Sequence, residues 1–196
     1  LVVAVMGLDD DAREYHRRDP PGKIEISTTK PTNTQRDLSL AYSPGVAAPC
    51  SDIHEDRNLA YDYTAKGNLV GVISNGSAVL GLGDIGAQAS KPVMEGKGVL
   101  FKRFADIDVF DIELDQDDAG AIVDAPSALE PTFGGTTIQD IHAPACISIA
   151  AQLQSRLSFP VFHAYQHATP IITGAAVIPV RDLPGTDIAA LSVCTA

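Results

Sequence analysis

Apolar residues recur in this chain as short runs punctuated by proline, glycine and acidic residues. Leu69 to Ile73 and Ala78 to Leu80 flank Asn75-Gly76, a dipeptide that favours the type I′ turn of a β-hairpin, so the pattern predicts antiparallel strands on either side of it. Asp108-Val-Phe-Asp-Ile-Glu-Leu114 alternates polar and apolar residues as a half-buried strand does. Further strands are predicted over Thr137 to Ile141 and Phe159 to His163, with a helix from Pro144 to Leu157 between them. Ser90 is placed to cap a helix entered at Pro92 and running to about Phe104. Upstream, Asp11 to Arg17 reads as a short helix and Lys23 to Ser27 as a first strand. Thr32 or Asn33 caps a helix through Leu40, and Pro44-Gly45 leaves Tyr42 and Ser43 at a helix-to-loop junction. The alternation defines an α/β class, a mixed sheet with flanking helices that carries an antiparallel hairpin around Asn75-Gly76.

Composition narrows the picture. The 196 residues, 45% hydrophobic and 20% charged, suffice for one core of ordinary size, and no repeat or low-complexity run interrupts them. The apolar runs are too short for a membrane span, and the apolar start at Leu1 to Leu8 has no basic residues before it, unlike a secretory signal. The expectation is a soluble protein. Cys50, Cys146 and Cys194 form neither a C-x-x-C pair nor an even set, so a reducing cytoplasm is the expected compartment. A net charge of −11 with no basic stripe argues against nucleic acid and anionic membranes as partners. An anionic ligand would need local lysines or a metal.

Gly81-Leu-Gly-Asp-Ile-Gly86 matches the G-x-G-x-x-G pattern of dinucleotide sites. Two features of the reading oppose that use: a hairpin leads in, and Pro92 resets the helix start beyond the glycines. A small nucleotide-binding domain built on Gly81 to Gly86 is therefore the last-ranked reading, behind a tight turn where backbones pass closely.

Four longer motifs stand in one order: Ala41-Tyr-Ser-Pro-Gly-Val-Ala-Ala-Pro-Cys50, Tyr61-Asp-Tyr-Thr-Ala-Lys-Gly-Asn68, Ser90-Lys-Pro-Val-Met-Glu-Gly-Lys97 and Glu130-Pro-Thr-Phe-Gly-Gly135. In them the chain resembles malic enzymes of the bacterial type, from about Tyr15 to Thr169. The resemblance implies a substrate and metal domain over residues 1–168. Residues 169–196 would then be a linker and the opening of a nicotinamide-binding domain, stopping before its phosphate-binding glycines. It implies oxidative decarboxylation of malate to pyruvate and CO2 with NAD or NADP, the cofactor held by the domain that follows, in a homodimer. Tyr42 matches the family's general acid and Lys97 its general base, types suited to protonating an enol carbon and accepting a hydroxyl proton.

The resemblance further implies Mg2+ or Mn2+, held by an adjacent Glu-Asp pair and by an Asp in a His-Asp-Asp-Gln-His-Gly-Thr run. Here those ligand positions are Gln139, Asp140 and Tyr165, and Ala164 replaces the run's other aspartate. Metal binding should be weakened, since a hard cation needs carboxylates and a protonated phenol is a poor substitute. If the ligand alignment were wrong, Asp111, Glu113 and Asp140 would be the next candidates. His163 and His167 lie four apart, but a strand-to-loop segment lacks the helical face that a zinc pair of that spacing uses. Lys97, Lys91 and Lys66 together could draw a dicarboxylate without a metal, unless nearby carboxylates engage them. A non-catalytic relative or fragment that keeps the fold is the alternative function. Pro179 is expected to break the apolar helix near the end of the chain.

Overall fold

The computed structural model describes residues 2–181. An amino-terminal arm carries α1 (Val2–Arg17), α2 (Gln35–Ala41), α3 (Ala47–Glu55) and the short α4 (Ala60–Tyr63), with 3-10 turns at Arg57–Leu59 and Ala65–Asn68. The core then alternates β1 (Leu69–Ser74), α5 (Gly86–Ala105), β2 (Asp108–Glu113), α6 (Ala119–Ala128), β3 (Gly135–Ile138), α7 (Ala145–Arg156) and β4 (Val161–His163). A π-helical turn at Ala164–Ala168 leads into α8 (Thr169–Arg181).

Among the described residues the strands form one sheet in the order β2-β1-β3-β4, with every neighbouring pair parallel. The α/β class stands, but the mixed sheet and the hairpin around Asn75-Gly76 do not. The dipeptide does turn the chain, into a helix rather than a returning strand. Gly76, at φ +70°, offers its carbonyl to the Ile85 and Gly86 N–H groups at 3.1 and 3.3 Å, closing a loop onto the start of α5. A Cβ at Gly76 would lie 2.2 Å from the Gly86 carbonyl oxygen, so only glycine fits. The second apolar run lies within this loop, Val79 buried and Leu80 90% exposed, with a single antiparallel bridge from Val79 to Gly83.

Parallel pairing explains why β1 is apolar almost throughout: both its faces are covered. Val72 packs with Met94 and Val109 beneath α5, while the next residue, Ile73, packs with Ile122, Ile149 and Leu153 beneath α6 and α7. All but Val109 are at most 1% exposed. Burying each such side chain contributes about 1.5–3 kcal/mol.

Other boundaries shift for local reasons. The helix expected from Ser90 begins at Gly86 and contains Pro92, and the Ser90 hydroxyl bonds back to the Ala87 carbonyl at 2.7 Å instead of capping. Residues 23–27 belong to no strand of the sheet. There the Lys23 N–H donates to Glu95 at 3.0 Å and its ammonium to the Pro92 carbonyl at 2.8 Å, strapping the arm to α5. Thr34, not Thr32 or Asn33, caps α2 in a reciprocal box with Asp37. The helix expected from Asp11 already runs from Val2, and α8 continues through Pro179. The opening strand expected after residue 181 lies outside the described residues.

The chain passes from β1 outward to β2, then crosses back to β3 on the other side of β1. The carboxyl ends of β1 and β3 therefore flank a topological switch point, where open α/β sheets leave a crevice.

Candidate functional site

Gln139 and Asp140 leave the carboxyl end of β3 directly into that crevice. Asp140 has φ +50°, a left-handed conformation uncommon outside glycine and best tolerated by Asp and Asn. Its carbonyl is held by the Ala78 N–H at 3.0 Å, and its side chain is 6% exposed. Lys97 reaches across from α5, donating to Gln139 Oε1 and to Asp140 Oδ1, each at 2.8 Å. Gln139 Nε2 in turn donates to Thr137 Oγ1 at 2.8 Å, which decides which end of the amide faces Lys97. Tyr165, in the turn after β4, lies against Asp140. Its phenol is pushed above the usual range by burial first, and then by the charge and hydrogen bond of that carboxylate.

Four of the five residues singled out in the sequence thus converge: Lys97, Gln139, Asp140 and Tyr165. Tyr42 does not join them. It ends α2 with its side chain 77% exposed and hydrogen-bonds to none of the four among the described residues. Thr137 was missed in the sequence; its signal is the strand alternation that sets residues 137 and 139 on one side.

The other lysines are engaged elsewhere. Lys66 donates to the carbonyls of Glu130 and Phe133 and lies over the Tyr61 and Phe159 rings, and burial holds its ammonium below the usual range. Lys91 pairs with Asp111 at 2.7 Å and Glu113 at 3.5 Å on β2. A three-lysine dicarboxylate site is therefore not assembled, and among the described residues no three His, Cys, Asp or Glu side chains group as metal ligands. Asp111, Glu113 and Asp140 accordingly do not form an alternative centre. The histidine pair serves the turn: the His163 N–H donates to His167 Nδ1 at 2.9 Å, and His163 Nδ1 accepts from the Gln166 N–H at 3.1 Å.

Both arguments drawn from the sequence against a dinucleotide at Gly81 to Gly86 fall, since β1 and β2 are parallel and α5 opens at Gly86. A different observation opposes it. The cleft of about 730 Å³ at this end of α5 is walled by Glu113 and Asp115, and its Lys91 is already paired to carboxylates, a poor setting for a pyrophosphate. Asp106, the acid at fingerprint distance, caps α5 and pairs with Lys102 instead of ending β2.

The Mg2+ or Mn2+ that the resemblance implies does not fit this donor set. Hard cations of this type take several oxygen ligands with carboxylates among them. The site supplies one carboxylate, already held by an ammonium, beside a neutral amide and a phenol that keeps its proton.

A parallel sheet covered by helices on both faces, with charged and polar side chains meeting at its switch point, defines an α/β ligand-binding domain. The family model "Malic enzyme, N-terminal domain" matches residues 21–126. The chain is 60% identical over 171 residues to the NADP-dependent malic enzyme of Escherichia coli (strain K12), covering 87% of this chain and 22% of that protein. It is 56% identical over 188 residues to the NAD-dependent malic enzyme of Rhizobium meliloti (strain 1021), covering 96% and 24%. The crystal structure of malic enzyme from Pyrococcus horikoshii matches with a TM-score of 0.89 at 41% identity, over 94% of this chain and 43% of that one. The chain belongs to the malic enzyme family, through its amino-terminal domain. It spans 22–24% of the length of these two curated relatives.

Proposed function

We propose that this chain is the substrate-side domain of an NAD(P)-linked malic enzyme, acting on malate and pyruvate at the β1/β3 switch point. The observation that carries the reading is Lys97, fixed between Gln139 and Asp140 at 2.8 Å from each. In the proposed reaction Lys97, in its neutral form, would accept the hydroxyl proton of malate, and a nicotinamide held by the part of the protein that follows would supply the hydride acceptor. After CO2 leaves, the enol carbon takes a proton; Tyr42, the acid that the resemblance names, stands apart from the other four residues and would have to be brought to the site to give it. The cofactor belongs to the part of the protein that follows residue 168, and residues 169–196 form the connection to it. The working protein is proposed to be a cytoplasmic homodimer. In it, pairing would cover apolar side chains exposed on the arm, among them Leu38 and Leu40. No helix among the described residues is long and apolar enough to cross a membrane.

One observation favours a second reading, a relative that keeps the fold without the decarboxylation. Two of the three positions that the resemblance assigns to metal ligands carry no carboxylate. The test is malate-dependent formation of reduced nicotinamide and pyruvate by the full-length protein, with Lys97→Ala as control. Turnover that Lys97→Ala lowers by about 10²-fold or more supports the enzyme reading. No turnover with either cofactor and either metal supports the second.

A further inference from the structure

We infer that the switch-point site is built to stand without a divalent cation, its charge balanced within the chain by Lys97. The inference rests on the family assignment and its ligand positions, not on catalytic turnover. Both departures from the family pattern remove a carboxylate: Gln139 stands where a glutamate is expected, and Tyr165 where an aspartate is. Together they withdraw two negative charges, the amount that a divalent cation brings in positive charge. What remains is one carboxylate, Asp140, and one ammonium, Lys97, 2.8 Å apart. The net charge of the site is therefore the same as that of a three-carboxylate site holding its cation beside the same lysine.

The hydrogen bonds agree with the charge count. Buried carboxylates deprived of a cation leave oxygens without partners, which is costly in a low-dielectric site. Here the Gln139 amide uses both its ends, on Lys97 and Thr137, and Asp140 Oδ1 accepts from Lys97. Among the described residues, no buried side-chain oxygen or nitrogen of Lys97, Gln139 or Asp140 lacks a partner, and Tyr165 is half-exposed to water. The two substitutions thus form a compensating pair: each alone would unbalance the site, and both together allow it to close.

The experiment is thermal unfolding of the full chain in EDTA and in Mn2+, with free Mn2+ followed by its paramagnetic resonance signal. The chain is compared with the variant Gln139→Glu/Tyr165→Asp. The unsubstituted chain should melt at the same temperature in both buffers and leave the Mn2+ signal undiminished. The double variant should melt on the order of 5 °C lower in EDTA, because Gln139→Glu buries one charge and Tyr165→Asp sets a second, half-exposed one near Asp140, neither with a counter-charge, and Mn2+ should restore it while its free signal falls. If the double variant does not fold in EDTA, Gln139→Glu and Tyr165→Asp made singly should each show an intermediate loss. Stabilisation of the unsubstituted chain by Mn2+ would overturn the inference. So would a double variant that is unaffected in EDTA, or one whose loss Mn2+ does not relieve. None of these readouts uses malate or nicotinamide, so an inactive protein leaves the test intact.

Discussion

Lys91 and Lys97 leave the same helix six residues apart and meet their carboxylates in different proportions. Lys97 faces one, Asp140, and the pair is balanced. Lys91 faces three, with Asp111 at 2.7 Å, Glu113 at 3.5 Å and Glu95 at 4.0 Å, and one ammonium cannot neutralise them all. The surplus on β2 is met by a proton. Burial, and then the hydrogen bond and charge of Asp111, push Glu113 up to about 7. Burial would raise Asp111 as well, but the hydrogen bonds from Lys91 and Glu113 hold it below the usual carboxylate range. One Glu113 oxygen is sealed from solvent without a partner among the described residues. At the switch point the same surplus is removed chemically, by an amide and a phenol in place of two acids. What governs each cluster is the count of charges against counter-charges, more than the number of contacts.

The largest loss is expected from removing the Lys97 ammonium. Lys97→Met keeps the bulk of the side chain but strands the 6%-exposed Asp140 carboxylate, and should cost roughly 3–5 kcal/mol in urea unfolding at neutral pH. A loss below about 1 kcal/mol would mean that water already balances the site.

The β2 cluster offers a pH test. Because the folded-state pKa of Glu113 lies above its ordinary 4.5, the folded chain retains a proton that the unfolded chain has released. Stability from this group is therefore complete below about 4.5 and is lost as pH rises through about 7. The opposite shift at Asp111 acts in a lower window, on the acid side of the usual aspartate range. Glu113→Gln should flatten the fall, giving a gain on the order of 1–2 kcal/mol at about pH 8 and little at about pH 5. Equal urea midpoint shifts at both values would sink the shared proton.

The smallest effect sharpens the role of burial. Arg156 and Asp124 approach to 2.6 Å, closer than Lys97 and Asp140, but their side chains are 46% and 70% exposed. Arg156→Ala should change stability by about 0.5 kcal/mol or less. A larger loss would make bond length, rather than desolvation, the better guide to these pairs.

The core elements were readable where period and punctuation agreed. Asp108 to Glu113 alternates and becomes β2, and Ala145 to Arg156 lies between Pro144 and Pro160 and becomes α7. Asn75-Gly76 misled because its preference is only for a turn with positive φ. That turn serves equally to send a strand back and to close a loop onto a helix, and the choice depends on the Ile85 and Gly86 N–H groups, nine and ten residues on, that bond the Gly76 carbonyl. Lys23 to Ser27 has strand-like alternation, yet its hydrogen bonds go to Glu95 and Pro92, so the segment straps a helix. At the site, one long motif held Lys97 and the resemblance supplied Gln139, Asp140 and Tyr165 as ligand positions; strand alternation was the only signal for Thr137, and nothing local separated Lys91 from Lys97.

The sequence by itself determined the α/β alternation, the family, and the absence of carboxylates from two of the positions that the resemblance assigns to metal ligands. These follow from residue types and their order, which folding does not alter. Only the tertiary structure decided that the sheet is parallel, that Lys97 rather than Lys66 or Lys91 faces Asp140, and that Glu113 shares the surplus charge of β2. Each of those depends on which side chains are brought out of water together. Burial is what turns a nearby charge into a strong one, and it exists only once the chain has packed.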